Sequence, residues 1–387
     1  MITFEYSPTP KLIELFTKEV IDRASLAMTA YLPMVPTLDR QKFEDLFNSA
    51  AIKNLLLCSP ELLTAHIHQI YTALPILADR YCPAYLLAGI QIPSNISKLN
   101  LRKRHDTIAI DVAVQNALEF LNHKATPDLS FTLSLLKLLS DSKLYGEKKK
   151  ALGRIYNVAY GDFLLTKEDL KIFPLWIENF SKVFNYSDLS KKIGLAIVQE
   201  LNINICLYCN NENIQTRGLK VKLRADLDHF YPKTKFPFLA VALSNLVPSG
   251  SFCNQGYKKN YHMLDFEHPF IAGVTTAKLF HVEIPPGEKP TKANLKVRVI
   301  AQGSKIDRSI EKFEIENLYS TQDDINSWIR KAHEVVDFTS GFNNSETTDI
   351  LLGLLVDASK PPHQEQAKKF KVDSINQFAN RQILSYP

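Results

Sequence analysis

Through the first 200 residues, apolar positions recur at helical spacing. Leu12, Ile13, Leu15, Phe16, Val20 and Ile21 mark one such face. Ser59-Pro60-Glu61 reads as a helix start: a capping hydroxyl, a proline at the first helical position, an acid in the first turn. That helix is expected to run to about Leu74, where Pro75 interrupts it. Residues 108–122 and 131–139 read as buried helices. Thr166-Lys-Glu-Asp169 and Ser187-Asp-Leu-Ser-Lys191 read as further helix starts. Near residue 201 the pattern changes. Asn, Cys, Pro and Gly become frequent and the apolar runs shorten, so 201–265 predicts loops, two or three short strands and a helix. Beyond Pro285-Pro286, Leu295, Val297 and Val299 alternate with Lys296 and Arg298, which predicts a strand. Phe313 and Ile315, alternating with Glu314 and Glu316, predict its partner. Helices at about 321–336, 346–358 and 364–382 follow, the first capped by Ser320-Thr321. The expected class is α+β, with a helical region over 1–200, a small central module over 201–285 and an α/β extension over 286–387.

Composition narrows the setting. A chain of 387 residues is long enough for two or three units with a buried core. The net charge of +5 permits a polyanionic partner without demanding one. No run of about 18 apolar residues is present, so no membrane span is expected. The opening MITFEYSPTPKLIE lacks the basic patch and apolar run of a secretory leader. Five cysteines, an odd number in a large chain, argue against a disulfide framework, and the expected location is the cytoplasm. Cys58 and Cys82 read as core thiols. His66 and His68, two apart on a helix, point away from each other, and His105 lies in a basic run that reads as a solvated face.

Candidate chemistry gathers in the central module. Asp228 and His229 are adjacent, so on a strand they face opposite sides and can serve different partners. Aspartate is a hard oxygen ligand for Mg2+ or Mn2+, and neutral histidine is the natural general base near pH 7. An imidazole acting as base needs its other ring nitrogen held by an acceptor. An asparagine oxygen or a backbone carbonyl can do this, and Asn245 is a candidate. Asn254, opening a short helix, offers a second oxygen ligand. Between Arg217 and Asn260 stand eight basic residues (Arg217, Lys220, Lys222, Arg224, Lys233, Lys235, Lys258 and Lys259) and two acids, Asp226 and Asp228. That local charge of +6 exceeds the net charge of the whole chain and suits a nucleic acid.

The ordered set Cys206-x-x-Cys209, Asp228-His229, Asn245-Leu-Val-Pro248 and Cys253-Asn254 with Lys258 resembles the HNH endonuclease family. The stretch DHFYPKTKFP, with His268-Pro269-Phe270 downstream, is similar to bacterial HNH proteins of anti-phage defence operons of the Septu type. The resemblance covers about 205–272. It implies a ββα-metal fold with His229 as general base and Asp228 and Asn254 as ligands of one catalytic Mg2+ or Mn2+. Asn245 would orient His229 or stabilise the loop. The implied activity is metal-dependent hydrolysis of phosphodiester bonds in DNA. RNA as substrate, and a catalytically silent binding or assembly subunit, stand as alternatives. Lys222, Arg224, Lys233, Lys235, Lys258 and Lys259 would contact the nucleic acid. The helical region would bind a regulatory partner such as an ATPase or another sensor.

Family members often carry a structural zinc on two Cys-x-x-Cys pairs. Here Cys206, Cys209 and Cys253 are present, but the fourth position is Gly250, which has no side chain. Three readings are open. His262 supplies the fourth ligand; a partner or water completes the site; or zinc is lost and Phe252, Tyr208 and Tyr231 pack the knuckle, the reading preferred from sequence.

Overall fold

The structure is a computed structural model that describes residues 2–384, apart from 217–223, 275, 276, 292, 341–349, 352, 358, 381 and 383. The helical expectation for the first 200 residues holds in detail. Thr9 caps the first helix, its hydroxyl accepting the Leu12 N–H at 3.3 Å. Pro10–Phe16 then passes through a wider turn, Thr17–Ile21, into Asp22–Tyr31. Leu12, Phe16, Val20 and Ile21 are buried, whereas Leu15 is exposed. Pro60–Leu62 is a 3-10 turn leading into Leu63–Ala73, and Pro75 opens the next helix, Pro75–Tyr81. The Ser59 hydroxyl makes no capping bond. The two apolar runs lie inside Arg104–Lys124 and Ser130–Asp141.

Buried polar groups hold these helices in register. The Asp79 carboxylate accepts the Phe131 and Thr132 N–H groups at 2.8 and 2.9 Å and the Thr132 hydroxyl at 2.6 Å. It thereby caps a helix some fifty residues away and satisfies donors that the helix cannot pair itself. Around Phe180, the rings of Tyr31, Phe43 and Phe47 pack at 5.4–5.8 Å, edge-on or tilted. Asn185 rather than Ser187 caps Tyr186–Lys192. Gly194–Leu201 ends at Asn202, which takes the left-handed conformation common just past a helix end. The change of pattern near residue 201 is this boundary.

Beyond it lie two antiparallel hairpins. Strand β1, Asp226–His229, pairs with β2, Leu246–Ser249, in the register Asp228↔Val247 and His229↔Leu246. A wide helical turn, Phe252–Lys258, follows, closed by the Lys259 N–H on the Asn254 carbonyl. Strand β3, Phe280–Glu283, pairs with β4, Lys296–Val299. The strand at 295–299 was foreseen, but its partner is Phe280–Glu283 and not 313–316. Phe313 and Ile315 flank Glu314, which links the helices Ser304–Lys312 and Ile315–Thr321 at a φ of 48°. Both apolar side chains are buried at that corner, which produces an alternation without a strand. Ser320 and Thr321 finish the second of these helices and cap nothing. Asp323–Ser340 opens with two acids instead, as the helix dipole favours. The last helix is Lys368–Phe378. Of the expected 346–358 helix, 346–349, 352 and 358 lie outside the described residues, and the described part is helical only at 350, 351 and 353.

The central region is clamped from its C-terminal side. Asn210 donates to the Pro362 carbonyl at 2.6 Å and accepts the Lys369 N–H at 3.0 Å. The Tyr319 hydroxyl donates to the Cys209 carbonyl at 2.8 Å. Asp373 accepts the Leu279 and Phe280 N–H groups, tying the last helix to β3. One apolar core runs from Ile2 to Phe370 through all three sequence regions. No helix among the described residues is long and apolar enough to cross a membrane.

Candidate functional site

The β1–β2 hairpin and the Phe252–Lys258 turn surround a cavity of about 410 Å3. Asp228, His229 and Asn254 all line it, as do Arg224, Lys233, Lys258 and Lys259. The residues singled out as base and cation ligands therefore meet at one place.

His229 is buried against the ring of Tyr186, edge to face at 4.3 Å. Its Nε2 stands 2.8 Å from the Ala240 carbonyl, an obligate acceptor, so Nε2 carries the proton and Nδ1 the lone pair. Burial, with Lys233 nearby, pushes the imidazole down to about 3, so the ring is neutral at pH 7. Asn245 does not hold this ring. Its side chain accepts the Tyr231 N–H at 2.8 Å and donates to the Tyr231 and Leu239 carbonyls, both at 3.0 Å. Its role is that of the loop-stabilising alternative. It fixes the 231–239 loop and so places Ala240 against the histidine.

Asp228 has both oxygens engaged. Oδ2 accepts the Tyr208 hydroxyl at 2.7 Å, and Oδ1 lies 3.1 Å from the Lys258 ammonium. Burial pushes this carboxyl up from the usual range, while Lys258 and the Tyr208 hydrogen bond act against that shift. Lys258 also donates to the His229 carbonyl at 2.9 Å. The Lys258 ammonium thus occupies a cation position at the Asp228 carboxylate. Asp228 and Asn254 both line the cavity, where Asp228 is already paired with Lys258.

The basic residues divide. Lys233 and Lys259 are exposed at the cavity rim, and Lys233 lies over the Tyr186 ring at 4.6 Å. Arg224 is fastened to the Ser190 hydroxyl at 2.7 Å and to the Ala225 carbonyl, its guanidinium lying against Gly194, where a Cβ would crowd it. Lys235, expected to contact nucleic acid, is 2% exposed and donates to the Phe163 carbonyl at 2.7 Å. It is a structural cation, because its stem packs inside the core and a carbonyl replaces solvent at its tip. Lys258 is likewise buried, as the partner of Asp228. Lys222, with Arg217 and Lys220, lies outside the described residues. A second cavity of about 740 Å3, running toward Arg80 and Leu170, shares Tyr186, Lys233 and Thr234 with the first. The two form a continuous depression between the helical region and the hairpin.

Near the hairpin, the sulfur atoms of Cys206, Cys209 and Cys253 lie within 4.8 Å of one another, all buried, and the cluster could bind a metal. The three thiols titrate together. Cys209 is pushed well down by hydrogen bonds from the other two, and Cys206 is pushed up to about 12, chiefly by burial. His262 is not among them. Its Nδ1 accepts the Leu264 N–H at 3.1 Å and its ring stacks on Tyr261 at 4.8 Å. Tyr208 packs flat on Phe313 at 4.5 Å while its hydroxyl serves Asp228, so one residue joins the cysteine loop to the cavity. Sequence reasoning missed this link, the Ala240 carbonyl, Tyr186 and Glu212. Backbone carbonyls and tertiary ring contacts leave no motif, but an acid three residues past Cys209 was visible.

Comparison of the chain with protein-family models, curated proteins and solved structures finds no significant match.

Proposed function

We propose that the chain is a metal-dependent endonuclease of the HNH kind that hydrolyses phosphodiester bonds in DNA, acting in bacterial anti-phage defence. One observation carries the reading. A neutral histidine, its Nε2 tied to a backbone carbonyl, shares a cationic cavity with an aspartate and an asparagine. His229 Nδ1 would take the proton of an attacking water. Asp228 and Asn254 would hold a divalent Mg2+ or Mn2+ ion, which supplies positive charge for the leaving oxygen. Lys233 and Lys259 at the rim would draw and position the phosphate backbone. Lys258 would move from Asp228 to phosphate when the site is charged. The surface of the helical region would receive a regulatory protein, which keeps the nuclease idle in its own cell.

The test is plasmid nicking with Mn2+ by wild type and His229→Ala, with circular dichroism to compare their folds. Loss of nicking in a folded variant supports the base; unchanged nicking sinks it. A second reading, a nucleic-acid-binding or assembly element without catalysis, draws on the buried Lys258–Asp228 pair, which already neutralises the acid. Cation-independent DNA binding with no cleavage by wild type would favour it.

A further inference from the structure

We infer that Glu212 supplies the missing fourth ligand of the cysteine knuckle, giving a structural zinc site of three thiolates and one carboxylate. This stands apart from the proposed cleavage reaction. The cysteines alone leave the site one ligand short, since tetrahedral zinc takes four. The position opposite them is Gly250, and a Cβ built on Gly250 would coincide with the carboxylate of Glu212. The acid therefore fills the space that a cysteine side chain at 250 would need. Its Oε1 accepts the Ser251 hydroxyl at 3.3 Å, whereas Oε2 is buried and has no hydrogen-bond partner. An orphaned carboxylate oxygen at a thiol cluster is costly unless a cation completes it.

The backbone holds the acid in place. The Cys206 N–H donates to the Glu212 carbonyl at 2.9 Å and the Glu212 N–H to the Cys209 sulfur at 3.4 Å, so the residue belongs to the knuckle loop itself. Zinc–sulfur bonds of about 2.3 Å place ligand sulfurs roughly 3.8 Å apart, within the span of the three observed here. The Glu212 carboxylate is not among the ligand atoms that lie within 4.8 Å of one another, so binding with the three sulfurs requires its side chain to turn toward them. The glycine and the glutamate are then two halves of one exchange: the side chain lost at 250 is replaced from 212.

The full chain is reconstituted with zinc, dialysed, and analysed for metal, then titrated against a chelator and separately loaded with cobalt. Near one zinc per chain is expected, with the visible bands of tetrahedral cobalt on three thiolates. Glu212→Gln should weaken zinc by at least about tenfold. The double variant Glu212→Ala/Gly250→Cys should restore tight binding, with a cobalt spectrum shifted toward four thiolates. A carboxylate that merely capped the Phe252 turn would leave zinc affinity unchanged in Glu212→Gln. Wild type without zinc, Glu212→Gln with wild-type affinity, or a double variant that binds no better than Glu212→Gln each overturns the assignment. None of these measurements involves nucleic acid.

Discussion

Two polar clusters beside the β1–β2 hairpin differ in character. In the His229 cavity the buried groups are largely paired within the chain. Asp228 has Tyr208 and Lys258, His229 has Ala240, and Asn245 has three backbone groups. In the knuckle, three thiols have one another and a carboxylate oxygen has nothing. A self-satisfied cluster is built before any ligand arrives and suits chemistry, which needs fixed geometry. An unsatisfied one is completed by what binds and suits a structural ion, whose binding energy becomes folding energy.

The largest effect that would sharpen this contrast is on cleavage. His229→Ala should lower plasmid nicking by about 10²–10⁴-fold while leaving the circular dichroism spectrum intact. Next comes Lys258→Ala, which strands a buried carboxylate and should cost about 3–5 kcal/mol in denaturant unfolding. Added Mn2+ should raise the melting temperature of that variant more than that of wild type. No difference in the manganese response would break the claim that Lys258 stands in for a cation. Asn245→Ala removes three buried hydrogen bonds and should cost about 3 kcal/mol, with nicking lost through misplacement of the loop. An Asn245→Ala variant of native stability would show that the loop is held by its aromatic packing.

Acid should loosen the module next. Burial pushes His268 down to about 3 and His262 to about 4, the latter opposed by Asp265 and aided by Lys235 and Lys312. The unfolded chain protonates both near the ordinary histidine value, so it binds more protons than the fold below that point. Their stabilising contribution is complete above about pH 6.5 and falls by about 1.4 kcal/mol per pH unit for each as pH drops toward 4. Urea midpoints that stay flat from pH 7 to 4.5 would contradict this. The smallest effect concerns the rim. Lys233→Ala and Lys259→Ala should each reduce the salt slope of DNA binding by about one, while Lys235→Met leaves it unchanged.

Much of this was legible in the sequence because it was local. Proline at a first helical turn, capping residues and 3.6-residue periodicity placed the N-terminal helices. The change of pattern at 201 announced the short strands, two of which pair as β1 and β2. What could not be read was tertiary. Lys235 looks like its exposed neighbour Lys233, and a tertiary bond to the Phe163 carbonyl separates them. Phe313 and Ile315 imitate a strand because a left-handed residue between two helices turns both inward. For the knuckle the sequence reading offered His262, a partner or water, or loss of zinc as preferred, whereas the space at Gly250 is filled from a residue three past Cys209.

The Asn210 clamp has a consequence for the timing of synthesis. The Ala367 and Lys369 N–H groups bond to Asn210, in the same loop as Cys206 and Cys209. A ribosome extends the chain by more than 150 residues between these partners, and closing so long a loop is slow. The Asn210 contacts to Ala367 and Lys369 therefore form only after the Lys368–Phe378 helix has been made, later than the pairing of Tyr208 with Phe313 and Asp228 can.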